Sequence, residues 1–305
     1  MQTIMHYPAI FVKKKVATIV FFSYLCTMIG VFDSGYGGLT ILNEIRHLLP
    51  QYDYMYLGDN ARAPYGTRSF SVIYEYTLQA VRYLESHGCS LIILACNTAS
   101  AKALRTIQQR DIDPAALRVL GVIRPTAEVA PLRTRTGHIG VLATPGTVSS
   151  ESYVLELRHQ NPDLVVTQQA CPMWVPLIEA GEHRDAGADY FVEKYITLLL
   201  AQDPHIDTII LGCTHYPLLL PKIQSFTAGM GIDIIPQGEI VARSLQDYLT
   251  RHSDIAQRVM PPATNNAQGR VTYLTTESAD KFADNASIFL SQPIEAQHVE
   301  LEATN

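Results

Sequence analysis

The sequence predicts an α/β protein of two pseudo-symmetric lobes, each a mainly parallel sheet flanked by helices, with the active site in the cleft between them. Residues 91–100 read LIILACNTAS, and residues 208–217 read TIILGCTHYP. Each is a short apolar run that stops at a small residue, a cysteine and polar residues, which is typical of a buried parallel strand. A second pair occurs in the same order, MIGVFD at 28–33 and HIGVLA at 138–143. Because open α/β sheets bind ligands at the carboxyl ends of their strands, each lobe should present one cysteine to a shared cleft.

The composition is that of a globular enzyme large enough for two domains. The chain has 305 residues, of which 47% are hydrophobic and 17% charged, as in ordinary globular proteins. A formal net charge of −6 argues against a nucleic-acid-binding surface as the main function, but it permits an anionic small substrate. The 5 cysteines are too sparse and odd in number for a disulfide framework. They fit a reducing compartment, so we expect a cytoplasmic protein.

Residues 1–27 are expected to lie outside the fold. Three lysines at 13–15 precede an apolar run, which copies the layout of a signal peptide, but no small-residue cleavage site follows. The run is short for a bilayer span and continues into the strand predicted at 29–32. We expect the natural product to start at Met28, with residues 1–27 an upstream extension of the reading frame. A membrane or export signal is the alternative.

The first lobe opens with a strand, a glycine-rich turn and a helix. The turn DSGYGG occupies 33–38, and apolar residues recur at helical spacing from 39 to 49. This layout favours binding of an anion by the N–H groups at the helix start. A dinucleotide site is one alternative, although Thr40 stands where its fingerprint has a third glycine; a turn without a ligand is another. The loop GDNARAPYGTR at 58–68 follows a predicted strand and should lie at the same sheet edge.

Of the 5 cysteines, two are candidates for chemistry and a third is expected to be structural. A helix predicted over about 100–109 would place Cys96 beside a helix N-terminus, a position that lowers a thiol pKa. Packing as a small buried hydrophobe is the alternative for Cys96 and Cys213 alike, but their matched contexts favour chemistry. Cys171 lies between apolar neighbours and is expected to be structural, and Trp174 is expected in the core.

Strands and helices alternate along the rest of the chain. A lobe crossing is expected near Pro125, a polar linker at 133–137 and a surface loop at 260–269. Further elements are predicted at residues 54–57, 71–86, 119–123, 151–158, 165–170, 189–201, 232–235, 240–249, 271–274, 279–290 and 295–301.

Two facing thiols suit inversion of a stereocentre. One, as thiolate, removes a proton from a substrate carbon, and the other, as thiol, returns a proton to the opposite face. Three other interpretations stay open. Cys213 and His215 with Cys96 could bind zinc, although the usual ligand spacings are absent. Cys213 with His215 could attack an acyl group, and a two-lobed binding protein would use neither thiol for catalysis.

Six segments of the chain carry a family resemblance. They are IGVFDSGYGGLTIL, YLGDNARAPYGTRS, LIILACNTASA, IGVLATPGTVSS, CPMWVPLIEAGE and LGCTHYPLL. In sequence and order they resemble the signature blocks of the cofactor-independent glutamate racemases, within the aspartate/glutamate racemase superfamily. The resemblance extends from about Met28 to Leu301. The histidine at position 215 resembles the pattern of the glutamate branch, since aspartate racemases usually have Glu at that position.

The resemblance implies a glutamate racemase that needs no pyridoxal phosphate or metal and supplies D-glutamate for peptidoglycan. Cys96 would take the α-proton of D-glutamate and Cys213 that of L-glutamate. Further catalytic residues implied are Asp33 and His215, which would assist the thiols, and Asp59 and Glu179 in supporting roles. The positions that match substrate-holding residues are Asp33, Ser34, Pro64, Tyr65, Gly66, Asn97, Thr98, Thr214 and His215.

The resemblance also implies the domain organisation. The first lobe would comprise 28–123 plus 237–305 and the second 124–236, with glutamate as the small-molecule substrate, no nucleic-acid or stable membrane partner, and a homodimer as the assembly. Asn60 and Gln237, at positions expected on the cleft rim, depart from the residues common in the family.

Overall fold

The computed structural model describes residues 28–260 and 268–302. The predicted extension at 1–27 and most of the predicted loop at 260–269 lie outside these ranges. The described strands are β1 (Met28–Asp33), β2 (Asp53–Gly58), β3 (Cys89–Leu94), β4 (Arg118–Gly121), β5 (His138–Ala143), β6 (Val165–Ala170), β7 (Thr208–Gly212), β8 (Asp233–Ile235), β9 (Val271–Thr275) and β10 (Ala296–His298).

Helices cover both faces of the sheets, as expected when strands are buried on both sides. They are α1 (Gly38–Leu48), α2 (Phe70–Ser86), α3 (Asn97–Lys102), α4 (Leu104–Arg110), α5 (Ile123–Val129), α6 (Pro145–Ser149), α7 (Ser152–Gln160), α8 (Trp174–Glu179), α9 (Ala186–Gln202), α10 (Leu220–Thr227), α11 (Gly238–Arg251), α12 (Ser253–Val259) and α13 (Ala279–Leu290). Among the residues described, no helix is both long and apolar enough to cross a bilayer.

The strands form two sheets whose arrangement repeats. The first has the order β10-β9-β2-β1-β3-β4 and the second β6-β5-β7-β8, and every described pairing is parallel. The segment β2-β1-β3-β4 therefore matches β6-β5-β7-β8 strand for strand. The two strands that lead to the cysteines, β3 and β7, occupy equivalent inner positions, and all their residues are buried. This confirms the predicted α/β fold with two pseudo-symmetric lobes.

The C-terminal part of the chain packs with the first sheet. Along α11, Val241, Leu245 and Leu249 recur at a spacing of four residues and are buried in one cluster with Ile41 and Ile45 of α1. That spacing places them on one face of the helix. Strands β9 and β10 extend the same sheet next to β2.

Two of the boundaries that differ from the sequence predictions lie near Cys96 and near the predicted lobe crossing. The helix predicted over 100–109 begins earlier, at Asn97, and is divided at Ala103 into α3 and α4. The strand predicted at 119–123 ends at Gly121, and Pro125 lies in the first turn of α5 instead of ending an element. Proline is tolerated there because the first N–H groups of a helix have no intrahelical acceptor.

Candidate active site

The candidate site lies where β1, β3 and β7 end. Asp33 is the last residue of β1, while Cys96 and Cys213 follow the ends of β3 and β7. Both cysteines are free thiols, 5% and 7% exposed. Parallel strands bring these three residues to one edge of each sheet, as the sequence predicts.

Cys96 is surrounded by one anion and two hydrogen-bonding groups. Its Sγ lies 3.2 Å from the Ser34 Oγ and accepts a hydrogen bond from the Ala99 N–H at 3.4 Å, as the N-cap of α3. Burial and the nearby Asp33 carboxylate nevertheless raise the pKa of the Cys96 thiol to about 12. The predicted lowering of this pKa is therefore wrong, because α3 has only 6 residues and its helix field is outweighed by desolvation and by Asp33.

Cys213 is paired with a buried imidazole. The His215 Nδ1 lies 3.9 Å from the Cys213 Sγ, and the His215 Nε2 lies 3.0 Å from Glu179 Oε1 at the end of α8. Burial alone would lower the pKa of His215, but hydrogen bonds to Cys213 and Glu179 outweigh it and raise the pKa to about 10. A protonated His215 can donate a hydrogen bond to both neighbours.

Asp33 connects the two halves of the site. Its side chain is 1% exposed, accepts the Gly35 N–H at 2.9 Å and accepts a hydrogen bond from the Thr214 hydroxyl at 3.3 Å. Burial raises the pKa of Asp33, while the neighbouring His215 and the backbone N–H groups act in the opposite direction. A first-lobe carboxyl is thus bonded to the residue between Cys213 and His215.

The turn at 33–38 approaches the second cysteine segment too closely for a side chain at Gly37. A Cβ there would lie 2.3 Å from both the Thr214 Oγ1 and the His215 Nδ1. In the first turn of α1, the Thr40 hydroxyl donates to the Thr214 carbonyl at 2.9 Å. The turn therefore contacts Cys96 through Ser34 and the Cys213 segment through its glycine.

Asn97 and Thr98, directly after Cys96, contact the second lobe. The Thr98 Oγ1 lies 2.9 Å from the Thr144 Oγ1, at the start of α6. The Asn97 amide is hydrogen-bonded to Tyr153 of α7 and to Gln237. Both side chains are buried, so Thr144 and Tyr153 of the second lobe, together with Gln237, fix the segment that follows Cys96.

The loop after β2 is held by Asp59. Its fully buried carboxylate accepts hydrogen bonds from Arg62, Tyr65 and Thr276. Gly66 of the same loop faces Thr144, since a Cβ there would lie 3.0 Å from the Thr144 Cβ. The three hydrogen bonds of Asp59 hold the loop that contains Pro64 and Tyr65, and none of them goes to a thiol.

Sequence reasoning missed Thr40, Thr144, Tyr153 and Gln237 as parts of the site. In the sequence, Thr40 stands out only as the residue that breaks a dinucleotide fingerprint. Thr144 had a signal, since it follows the repeated strand at the place where Ser34 follows β1. Tyr153 has no such signal, and Gln237 has only its departure from the family pattern, because their contacts join segments far apart in the chain. Gln237 is also 2% exposed, so it lies in the interior and not at the cleft rim.

Comparison with known proteins gives the family. The family model described as Asp/Glu/Hydantoin racemase matches residues 39–245. A glutamate racemase of Dinoroseobacter shibae is 39% identical over 282 residues, which cover 89% of this chain and 98% of the relative. The crystal structure of the glutamate racemase isoform RacE1 from Bacillus anthracis has a TM-score of 0.82 at 33% identity, covering 90% of this chain and 98% of that one. A glutamate racemase from Francisella tularensis, in complex with D-glutamate, has a TM-score of 0.79 at 30% identity, covering 91% and 99%.

The fold and these relatives define an amino-acid racemase, an isomerase that inverts the α-carbon of its substrate. The chain belongs to the Asp/Glu/Hydantoin racemase family. The resemblance that the six sequence segments indicated is thereby confirmed.

Proposed function

We propose that this chain interconverts L- and D-glutamate by proton transfer between the α-carbon and two cysteines, Cys96 and Cys213. One observation carries the proposal: the turn at 33–38 contacts both cysteine segments, with Ser34 at the Cys96 thiol and Asp33 at Thr214. A molecule bound beside this turn would have one thiol from each lobe within reach. Two relatives described as glutamate racemases, one of them crystallised with D-glutamate, support this substrate.

Inversion of L-glutamate starts at Cys213. The thiolate, paired with protonated His215, takes the α-proton, and the S–H bond forms as the C–H bond breaks. The electron pair stays on the α-carbon and is delocalised into the adjacent carboxylate. Glu179 holds the His215 ring through the Nε2 contact at 3.0 Å and stabilises its positive charge.

Cys96 completes the inversion from the opposite face. With its pKa raised to about 12, it holds its proton at neutral pH and can deliver it to the carbanion, which yields D-glutamate and a thiolate at Cys96. Ser34 and the Ala99 N–H, both at hydrogen-bonding distance from this sulfur, stabilise that thiolate. The reverse reaction exchanges the two roles.

The remaining substrate-binding residues proposed are those that the structure brings to the same edge. Neutralising the substrate carboxylates requires donors in a site from which water is excluded. The turn at 33–38 offers backbone N–H groups, and Ser34, Asn97, Thr98 and Thr214 offer polar side chains. We assign Asp59 to support of the loop that contains Pro64, Tyr65 and Gly66, since its hydrogen bonds go there.

The wider setting follows from the same assignment. We propose lobes of 28–123 plus 237–305 and of 124–236, a homodimer, a cytoplasmic location, and supply of D-glutamate for peptidoglycan. The chain passes from the first sheet to the second after β4 and returns to the first sheet after β8, which supports these lobe boundaries.

Circular dichroism of the purified full-length chain, incubated separately with each enantiomer of glutamate and of aspartate, tests the substrate. We expect both glutamate signals to decay to zero at the same final composition, because the enantiomers have equal free energy, with the aspartate signals unchanged. Decay of aspartate alone, or of neither amino acid, would refute the proposed function.

A further inference from the structure

We propose that Gln237 is a positioning residue that holds the Asn97 amide in its substrate-binding orientation through a closed ring of hydrogen bonds with Tyr153. The Asn97 Nδ2 donates to the Gln237 Oε1 at 2.6 Å. The Gln237 Nε2 donates to the Tyr153 hydroxyl at 2.7 Å, and that hydroxyl donates to the Asn97 Oδ1 at 2.7 Å. Each member donates to one neighbour and accepts from the other.

The direction of this ring is set by a backbone carbonyl. The Gln237 Nε2 also lies 3.3 Å from the Val122 carbonyl oxygen, which can only accept, and 3.0 Å from the Thr126 hydroxyl. The nitrogen end of the Gln237 amide must therefore face Val122, which turns its oxygen toward Asn97. A reversed Asn97 amide would place two carbonyl oxygens against each other, so its nitrogen must face Gln237.

The ring lies in the interior, where both passages of the chain between the two sheets meet. Val122 and Thr126 belong to the passage that follows β4, and Gln237 belongs to the one that follows β8. Asn97 and Gln237 are each 2% exposed and Tyr153 is fully buried. Water cannot readily replace a missing member there, so each bond lost leaves a buried polar group unsatisfied.

The consequence for the reaction rests on the proposed function, in which Asn97 contacts glutamate beside Cys96. The ring uses the Asn97 oxygen and one of its two amide hydrogens, which leaves one N–H donor for a substrate carboxylate. Breaking the ring frees the amide to rotate and present its oxygen, which repels a carboxylate. Gln237 acts through Asn97 and does not itself contact substrate, so its loss should raise KM more than it lowers kcat.

The Gln237→Glu variant tests this with nearly unchanged shape. A carboxylate still accepts from Asn97 but cannot donate to Tyr153, so at pH 8 we expect KM for both enantiomers to rise roughly tenfold, with kcat within about threefold. A protonated Glu donates again, and burial raises a carboxyl pKa toward the assay range. The ratio of variant to parent KM should therefore fall between pH 8 and about pH 6. An unchanged KM at pH 8, or a raised ratio that stays constant with pH, would overturn the inference.

Tyr153→Phe breaks the same ring from another member, and Tyr54→Phe is its matched control. Tyr54 is also buried, and its hydroxyl donates to the Leu49 carbonyl at 2.7 Å, away from Asn97. Both variants should lose similar thermal stability, but only Tyr153→Phe should raise KM, and this comparison decides the question if Gln237→Glu does not fold. Equal kinetics in the two variants would refute the role of the ring. Absence of glutamate racemisation in the parent would instead refute the proposed function.

Discussion

The two cysteine segments have the same place in the fold and opposite electrostatic surroundings. Cys96 follows β3, where burial and the nearby Asp33 carboxyl raise the pKa of its thiol to about 12. Cys213 follows the equivalent strand β7 beside His215, whose pKa is raised to about 10 and which is therefore cationic at neutral pH. Symmetric topology thus supports an asymmetric resting state, with a protonated thiol on one side and an imidazolium-paired sulfur on the other.

The difference arises at single positions of the repeat. Asp33 ends β1, whereas Ala143 ends the equivalent strand β5. Asn97 follows Cys96 directly, whereas a threonine and then His215 follow Cys213. In the proposed mechanism the unliganded protein is ready to accept L-glutamate, because Cys213 is the base for that enantiomer and Cys96 already carries the proton to be delivered.

The largest effect should come from removing either thiol. Each direction of the reaction needs one base and one acid, so Cys96→Ala and Cys213→Ala should each lower kcat by about 10³-fold or more in both directions. Racemisation followed by circular dichroism measures this. Cys171→Ala is the control, since Cys171 is also buried but its thiol donates to the Gln169 carbonyl at 3.6 Å, so the variant should retain activity. Substantial racemisation by either thiol variant would contradict the two roles.

A side chain at Gly37 should push the turn at 33–38 away from the segment that contains Cys213. In Gly37→Ala the added Cβ would lie 2.3 Å from groups of Thr214 and His215, so the turn must move away from the Cys213 segment. We expect about a 10²-fold loss of kcat/KM and a decrease of about 1–3 kcal/mol in the free energy of unfolding. Gly187→Ala, at an open position, should alter neither by a comparable amount. Wild-type kinetics in Gly37→Ala would show that the close approach is dispensable.

Neutralising Glu179 should weaken the positive charge of His215 beside Cys213, so that Cys213, like Cys96, has no strongly held cation next to it. Glu179→Gln removes an anion that helps to raise the pKa of His215, so the alkaline limit of activity should move to lower pH and kcat near neutrality should fall about tenfold. The pH profile of kcat measures both effects. Glu182→Gln, at an exposed neighbouring position, is the control. An unshifted alkaline limit would mean that Glu179 does not control this proton.

The smallest effect concerns stability. His215 has its folded-state pKa raised from 6.5 to about 10, so the folded protein binds the extra proton more tightly than the unfolded chain. This stabilisation is fully present below pH 6.5 and is lost as pH rises toward 10. Urea unfolding of the parent and of His215→Gln across this range should show a steeper decline for the parent. Parallel curves would rule out a strongly raised pKa.

The repeat and the cysteines could be predicted from sequence because local patterns encode them. The buried strands β3 and β7 and the glycine-rich turn at 33–38 are contiguous segments, so their pattern can be recognised in the sequence without coordinates. Their order alone indicated two lobes and a shared cleft. The family segments then extended the prediction to residues such as Asp33 and His215, whose contacts the structure brings together at one edge.

The errors and omissions have a different physical origin. The pKa of Cys96 depends on burial and on the distance to Asp33, and neither can be read from neighbours in the chain. Gln237 meets Asn97 across 140 positions of sequence, and a glutamine has no local signature for that contact. Pro125 lies in the first turn of α5, and whether a proline ends a helix depends on its place within it.

Loss of the α-deuterium from enantiopure [2-²H]glutamate into water, measured with the two alanine variants of the thiols, tests the central claim most directly. If Cys213 faces the α-hydrogen of L-glutamate and Cys96 that of D-glutamate, Cys96→Ala should still exchange the L-enantiomer and not the D-enantiomer, and Cys213→Ala should do the reverse. Exchange of the same enantiomer by both variants, or of both enantiomers by either one, would contradict two thiols acting from opposite faces.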